Sequence, residues 1–232
     1  MSKIYTTLLF DADMTLFDFD GAETEAFGIV MAKYGIQYTD ADLTRYKAIN
    51  AALWERFNSG EITKDYLQGA RFTQFIATFG DRYASLDGKV LNNAYVEALS
   101  ECSQLLDGAA EVCRRLSEKY ELYIVTNGIS RVQHKRFDAS VIKPYFKGIF
   151  VSEDAGAPKP MKRYFDYVFA AVGEEKRALS VIIGDSLTTD MAGGRTAGID
   201  TVWYNPAHTV NHTDITPTYE TANYEELLAL FL

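Results

Sequence analysis

The sequence predicts an α/β fold, a doubly wound parallel sheet with a helical domain inserted after its first strand. Three observations predict it. Five short β-rich runs are spread along the chain, and the central ones are continuously apolar. Amphipathic helical patterns lie between the later runs. About 110 residues without a strand pattern of note separate the first run from the second.

The runs are "YTTLLF" at 5–10, "ELYIVT" at 121–126, "GIFVS" at 148–152, "LSVIIG" at 179–184 and "DTVWY" at 200–204. Continuous apolarity fits strands covered on both faces, as in parallel sheets with helical crossovers. Ala109, Val112, Cys113 and Leu116 recur at i, i+3, i+4, i+7, and so do Phe165, Val168, Phe169 and Val172, with Gly173 placed to end that helix. Strands alternating with helices give the α/β class.

In the long interval, Phe27, Val30, Met31 and Tyr34 repeat the helical spacing, closed by Gly35. Thr39 with Asp42 reads as a helix start before Tyr46, Leu53 and Phe57. Two further helices are expected in "ITKDYLQGARFTQFIATFG" and "GKVLNNAYVEALSECSQLL". A plain crossover needs only a dozen or so residues. The excess defines an inserted helical domain at 17–96, with the core formed by 1–16 and 97–232.

Composition narrows the function. The 232-residue chain is 47% hydrophobic and 24% charged, an ordinary soluble globular balance, with fifteen Tyr and fourteen Phe for a core. The net charge of −9 argues against a nucleic-acid partner, which needs a basic face. There is no apolar run of membrane-spanning length and no signal-peptide pattern. Cys102 and Cys113 form neither a metal spacing nor a disulfide framework, so a cytoplasmic protein is expected. Whether it is a monomer or a homodimer is left open.

The chemistry concentrates at strand ends. Ligands of open α/β sheets bind beyond the carboxyl ends of the strands. Asp11 and Asp13 follow the first run, and Asp185 and Asp190 follow the fourth in "GDSLTTD". Thr126, Asn127 and Gly128 follow the second, and Lys159 lies in "EDAGAPKP" after the third. Any one of these reads equally well as a helix cap or a solvated charge; four strand ends in this order do not. Converging carboxylates need a cation, and an all-oxygen set suits Mg²⁺. Zinc is disfavoured, because His134, His208 and His212 form no usable cluster with the cysteines. One carboxylate of the first pair can attack phosphorus, and the other can serve as general acid and then base.

The four segments "DADMT", "TNG", the Lys of "PKP" and "GDSLTTD" resemble, in order, the four motifs of the haloacid dehalogenase superfamily. The resemblance implies a Rossmann-like core with a helical cap that closes over the site and sets selectivity. It casts Asp11 as nucleophile, Asp13 as acid/base, and Thr126, Asn127 and Lys159 as phosphate holders. Mg²⁺ would be held by Asp11, Asp13 through its backbone carbonyl, and Asp185, with Asp190 as an outer acidic partner. "TLFDFDGAETEAF" and "TNGISRVQHKRF" are similar to the YjjG-like branch, which implies a pyrimidine nucleotide 5′-phosphatase. Met14 departs from that branch's pattern. The expected partner is a small phosphorylated metabolite, with nucleoside monophosphates first and Trp54, Phe57 and Tyr66 as candidates for stacking on a base. Phosphoglycolate or sugar phosphates, a phosphomutase, a dehalogenase and a non-catalytic binding protein are the alternatives. The dehalogenase needs neither metal nor acid, and Asp13 with the Asp185–Asp190 pair argues against it.

Overall fold

The computed structural model describes residues 4–232; the first three residues of the expected core segment lie outside that range. Among the described residues there are two compact units, one running up to Phe19 and resuming at Ser103–Leu232, the other being Asp20–Cys102.

The first unit is built on a six-stranded sheet. Its strands are β1 (Thr7–Phe10), β2 (Glu121–Thr126), β3 (Phe146–Val151), β4 (Ser180–Gly184), β5 (Asp200–Tyr204) and β6 (Tyr219–Thr221). Their order is β3-β2-β1-β4-β5-β6, and every neighbouring pair is parallel. β2 and β5 lie where the apolar runs placed them. β3 begins two residues earlier than expected and yields Ser152 to a following helix, because its pairing with β2 shifts register at Leu122/Tyr123 and extends to Phe146. β6 was not expected; it is three residues long and only Thr221 is fully buried.

Alternation along β1 explains its unbroken apolarity. Leu8 and Phe10 pack on one face with Ala109, Val112, Cys113 and Leu116. Leu9 packs on the other with Tyr164, Phe165, Val168 and Phe169. Each such residue contributes about 1.5–3 kcal/mol through burial.

The second unit consists mainly of α1 (Phe19–Lys33), α2 (Asp40–Asn58), α3 (Lys64–Ala77) and α4 (Gly88–Glu101). Thr39 and Asp42 form a reciprocal capping box at the start of α2. Gly35 stands at φ +65°, a conformation most side chains avoid, and closes α1. Phe27, Tyr46, Phe72 and Tyr95 make an aromatic core, with Phe27 and Tyr46 centroids 4.6 Å apart and Tyr46 and Phe72 5.0 Å apart. A buried polar chain crosses it: Asn50 donates to Glu23 Oε1 at 2.7 Å, and Arg71 Nε donates to Asn92 Oδ1 at 2.7 Å. The compact unit thus starts after 17 and runs past 96. Phe17 bridges to Leu105, which keeps it with the sheet unit, and α4 continues unbroken to Glu101.

The remaining helices are α5 (Ala109–Ser117), α6 (Ser130–Ala139), α7 (Ser152–Ala155), α8 (Lys162–Val172), α9 (Ala192–Ala197) and α10 (Tyr224–Phe231). No helix among the described residues is long and apolar enough to cross a membrane.

Candidate active site

Register places the chemistry. Phe10 is level with Ile124 of β2 and Ile183 of β4, so one step further Asp11 leaves the sheet between them. Its amide still donates to Ile183 O at 2.8 Å, which fixes the main chain while the side chain leaves the strand end. The next residues wind tightly: Leu16 and Phe17 both donate to Ala12 O at 2.9 Å, and Met14 adopts φ +59°. A left-handed residue with a Cβ costs about 1–2 kcal/mol, strain of a kind that gathers at functional sites. Tyr224 Oη donates to Thr15 O at 2.7 Å and ties this loop to α10.

Lys159 is the hub. It is buried, and its Nζ donates to Asp11 Oδ1 at 2.6 Å, Asp190 Oδ1 at 2.6 Å and Val125 O at 2.8 Å. Burial opposes its charge, but Asp11 and Asp190 outweigh that and hold the ammonium above its ordinary range. Asn127 reaches the main chain of the same residue, its Nδ2 donating to Lys159 O at 2.9 Å and its Oδ1 accepting from Lys159 N at 2.8 Å. Both ends of that amide thus hold the Lys159 main chain. Thr126 Oγ1 accepts from Gly128 N at 3.0 Å, leaving its hydroxyl proton to be donated elsewhere.

Asp190 returns beneath the end of β4. Ser186 N donates to its Oδ2 at 3.1 Å, and Asp190 N donates to Ser186 O at 3.0 Å. Gly184 makes room: a Cβ there would lie 2.3 Å from the Asp190 carboxylate. Asp185 is anchored through its carbonyl, which accepts from Trp203 Nε1 at 2.8 Å.

Carboxylate oxygens of Asp11, Asp185 and Asp190 lie within 4.8 Å of one another. Burial raises the Asp11 carboxyl well above its usual range, with Lys159 opposing and Asp190 and Asp185 reinforcing. Asp185 is pushed up to about 7, first by burial and then by Asp190. When all three carboxylates are ionised they outnumber the one ammonium by two, and their donors are all oxygens. That donor set fits a hard divalent cation.

Asp13 is not part of this cluster through its side chain. Its Oδ1 accepts from Arg136 Nη1 at 2.6 Å and its Oδ2 from Gln133 Nε2 at 2.6 Å. Sequence reasoning assigned neither partner a role. The signal available was their i, i+3 spacing on α6, directly after the Thr126–Gly128 segment.

Trp54 and Phe57 belong to the second unit. They pack edge-to-face at 5.7 Å, and Lys64 Nζ lies 5.9 and 5.2 Å from their ring centres. Tyr66 is exposed, with the Arg56 guanidinium 5.9 Å from its ring centre. All of these contacts lie within the second unit.

A sequence profile of haloacid dehalogenase-like hydrolases matches residues 8–204. The chain is 44% identical over 225 residues to the HAD-hydrolase YfnB of Bacillus subtilis (strain 168), covering 97% of this chain and 94% of that protein. A crystal structure of YfnB bound to magnesium aligns with a TM-score of 0.92 at 43% identity, over 99% of this chain and 100% of that one. The pyrimidine 5′-nucleotidase PynA of Streptococcus pneumoniae (strain ATCC BAA-255 / R6) is 38% identical over 225 residues, 97% of this chain and 94% of its own length. The pyrimidine 5′-nucleotidase YjjG of Escherichia coli (strain K12) is 32% identical over 220 residues, 95% of each chain. By sheet order, by the residues its strand ends carry and by these matches, the chain belongs to the haloacid dehalogenase-like hydrolase family and is an enzyme of that family.

Proposed function

We propose that the protein is a Mg²⁺-dependent phosphomonoester hydrolase that works through an aspartyl-phosphate on Asp11, with pyrimidine nucleoside 5′-monophosphates as its foremost substrates. The observation that carries the chemistry is the Asp11 carboxylate, buried at a strand end against the Lys159 ammonium and beside Asp185 and Asp190. The names of PynA and YjjG support the substrate class.

In the first step an Asp11 oxygen forms a bond to phosphorus while the bond to the leaving oxygen breaks, and Asp13 in its protonated form gives that oxygen its proton and becomes the carboxylate. In the second step Asp13 takes a proton from water, the water oxygen bonds to phosphorus, the Asp11–phosphorus bond breaks and phosphate departs. Lys159 lowers the repulsion between the carboxylate and an approaching phosphoryl group, and the Thr126 hydroxyl donates to a phosphoryl oxygen. Mg²⁺ would be held by Asp11, Asp185 and the Asp13 carbonyl, with Asp190 as an acidic partner, and would supply charge neutralisation.

The test is release of inorganic phosphate from UMP, dUMP, dTMP, sugar phosphates, phosphoglycolate and p-nitrophenyl phosphate. Release is expected with Mg²⁺, and silence in excess EDTA. Undiminished turnover in the chelator with metal content verified, or halide release from 2-haloacids in place of phosphate release, overturns the reading. Return of phosphate to the sugar would identify a mutase.

A pH dependence follows from Asp185. Its carboxyl titrates at about 7 in the folded protein against an ordinary 3.8. Between those values the folded state keeps a proton that the unfolded chain has lost. This contribution to stability is therefore largest below about pH 4 and lost as pH rises to about 7. A divalent cation at the cluster removes the disadvantage. The gain in melting temperature on adding Mg²⁺ to chelator-treated protein is expected to be larger at pH 8 than at pH 5; a pH-independent gain contradicts this.

A further inference from the structure

We propose that Arg136 and Gln133 are positioning residues for the acid/base step, holding the Asp13 carboxylate in the direction from which it serves the leaving group. The proposal rests on the reading of Asp13 as that acid/base. Three features support it.

The first is geometry. Both oxygens of Asp13 are gripped at 2.6 Å, one by each residue, and both partners stand on one face of α6. A carboxylate has a broad torsional freedom about its last bond. Two donors from a rigid helix remove it.

The second is the environment of Arg136. The side chain is fully buried, its guanidinium lies 4.6 Å from the ring centre of Phe17, and its Nε and Nη2 have no hydrogen-bond partner among the described residues. Buried donors are nearly always satisfied, and a buried ion pair left with unpaired donors contributes little to stability. An arrangement that leaves two guanidinium nitrogens unmet while directing the third at Asp13 favours orientation over stability. Asp13 remains reachable from solvent, its side chain being 25% exposed against 0% for Arg136.

The third is Gly128. A Cβ there would stand 2.2 Å from Gln133 Nε2 and 2.6 Å from its Cγ. No larger residue lets Gln133 lie along the path that reaches Asp13. Gly128 also donates to the Thr126 hydroxyl, so the segment that presents this hydroxyl toward the phosphoryl group also clears the way for the acid's support.

The experiment is a comparison of leaving groups. The ratio kcat/KM reports the step in which the leaving group departs. An alkyl alcohol needs a proton to leave, whereas p-nitrophenolate leaves well without one. Arg136→Met, Gln133→Leu and Gly128→Ala are to be compared with Asp13→Asn on a nucleoside 5′-monophosphate and on p-nitrophenyl phosphate, with folding checked by circular dichroism. Arg136→Met keeps the bulk beside Phe17, and Gly128→Ala perturbs Gln133 without touching the ion pair. The expected result is a loss of about 10²-fold or more on the alkyl ester for Arg136→Met, the scale of lost general-acid catalysis, with a smaller loss of the same kind for the other two. On the aryl ester the loss is expected to stay within about 3-fold, following the Asp13→Asn pattern. Equal losses on both esters, or none on either, while Asp13→Asn discriminates between them, overturn the positioning role alone. If Asp13→Asn itself does not discriminate, the acid/base reading fails and the proposal falls with it.

Discussion

Asp11→Asn is expected to leave less than about a thousandth of the wild-type turnover in a protein at least as stable as the parent. The amide keeps the shape of the carboxylate but cannot attack phosphorus. The stability half follows from the site's charges. Asp11 is buried beside Asp190 and Asp185, and its carboxyl is held well above the usual range, so its ionised form disfavours the folded state near neutrality. A neutral residue of the same size removes that disadvantage while Lys159 keeps Asp190 as a partner at 2.6 Å. Phosphate release and urea denaturation, measured on the same preparation, check both halves. Turnover above the stated level removes Asp11 from the nucleophile's role, and a clear loss of stability removes the electrostatic account.

Lys159→Met is expected to cost both activity and stability. The substitution leaves two buried carboxylates, each previously 2.6 Å from the ammonium, with no cation between them. Breaking one side of a buried ion pair costs about 3–5 kcal/mol. Losing a donor that stabilises developing charge costs about 10²–10³ in kcat. The stability deficit of the metal-free protein is expected to narrow as pH falls from 8 toward 5, because protonated carboxyls no longer repel, and Mg²⁺ is expected to restore part of it. Equal denaturation midpoints for variant and parent across that range contradict this account.

Much of this is legible in the sequence, for identifiable physical reasons. β1 and β4 stand out because burial on both faces favours continuous apolar runs such as "LLF" and "VII". Thr39 and Asp42 announce the start of α2 because a reciprocal cap requires those residue types at that spacing. α6 carries no comparable signal: "SRVQHKRFDA" buries Val132 and Phe137 but also Gln133 and Arg136. Polarity that reads as a solvated face is here turned inward on Asp13. The contact of Asn127 with the Lys159 main chain is not legible, because its partner lies 32 residues away and no local pattern encodes it. β6 escaped because a three-residue edge strand needs almost no side-chain signature. The strand-end carboxylates were legible because like charges set close together call for an explanation wherever they occur.

The strand order also governs how the chain reaches this state during synthesis. β1 is complete by residue 10, yet its partners begin at residues 121 and 180. At ribosomal speeds of about 5–20 residues per second, this apolar strand waits on the order of ten seconds for its first neighbour. During that wait the helices of Asp20–Cys102 emerge with their aromatic core encoded within one continuous stretch, so this unit is free to condense first. One of the two central strands therefore depends for its placement on segments more than 100 residues further along the chain, and products truncated before residue 121 expose "TLLF" without a sheet to receive it.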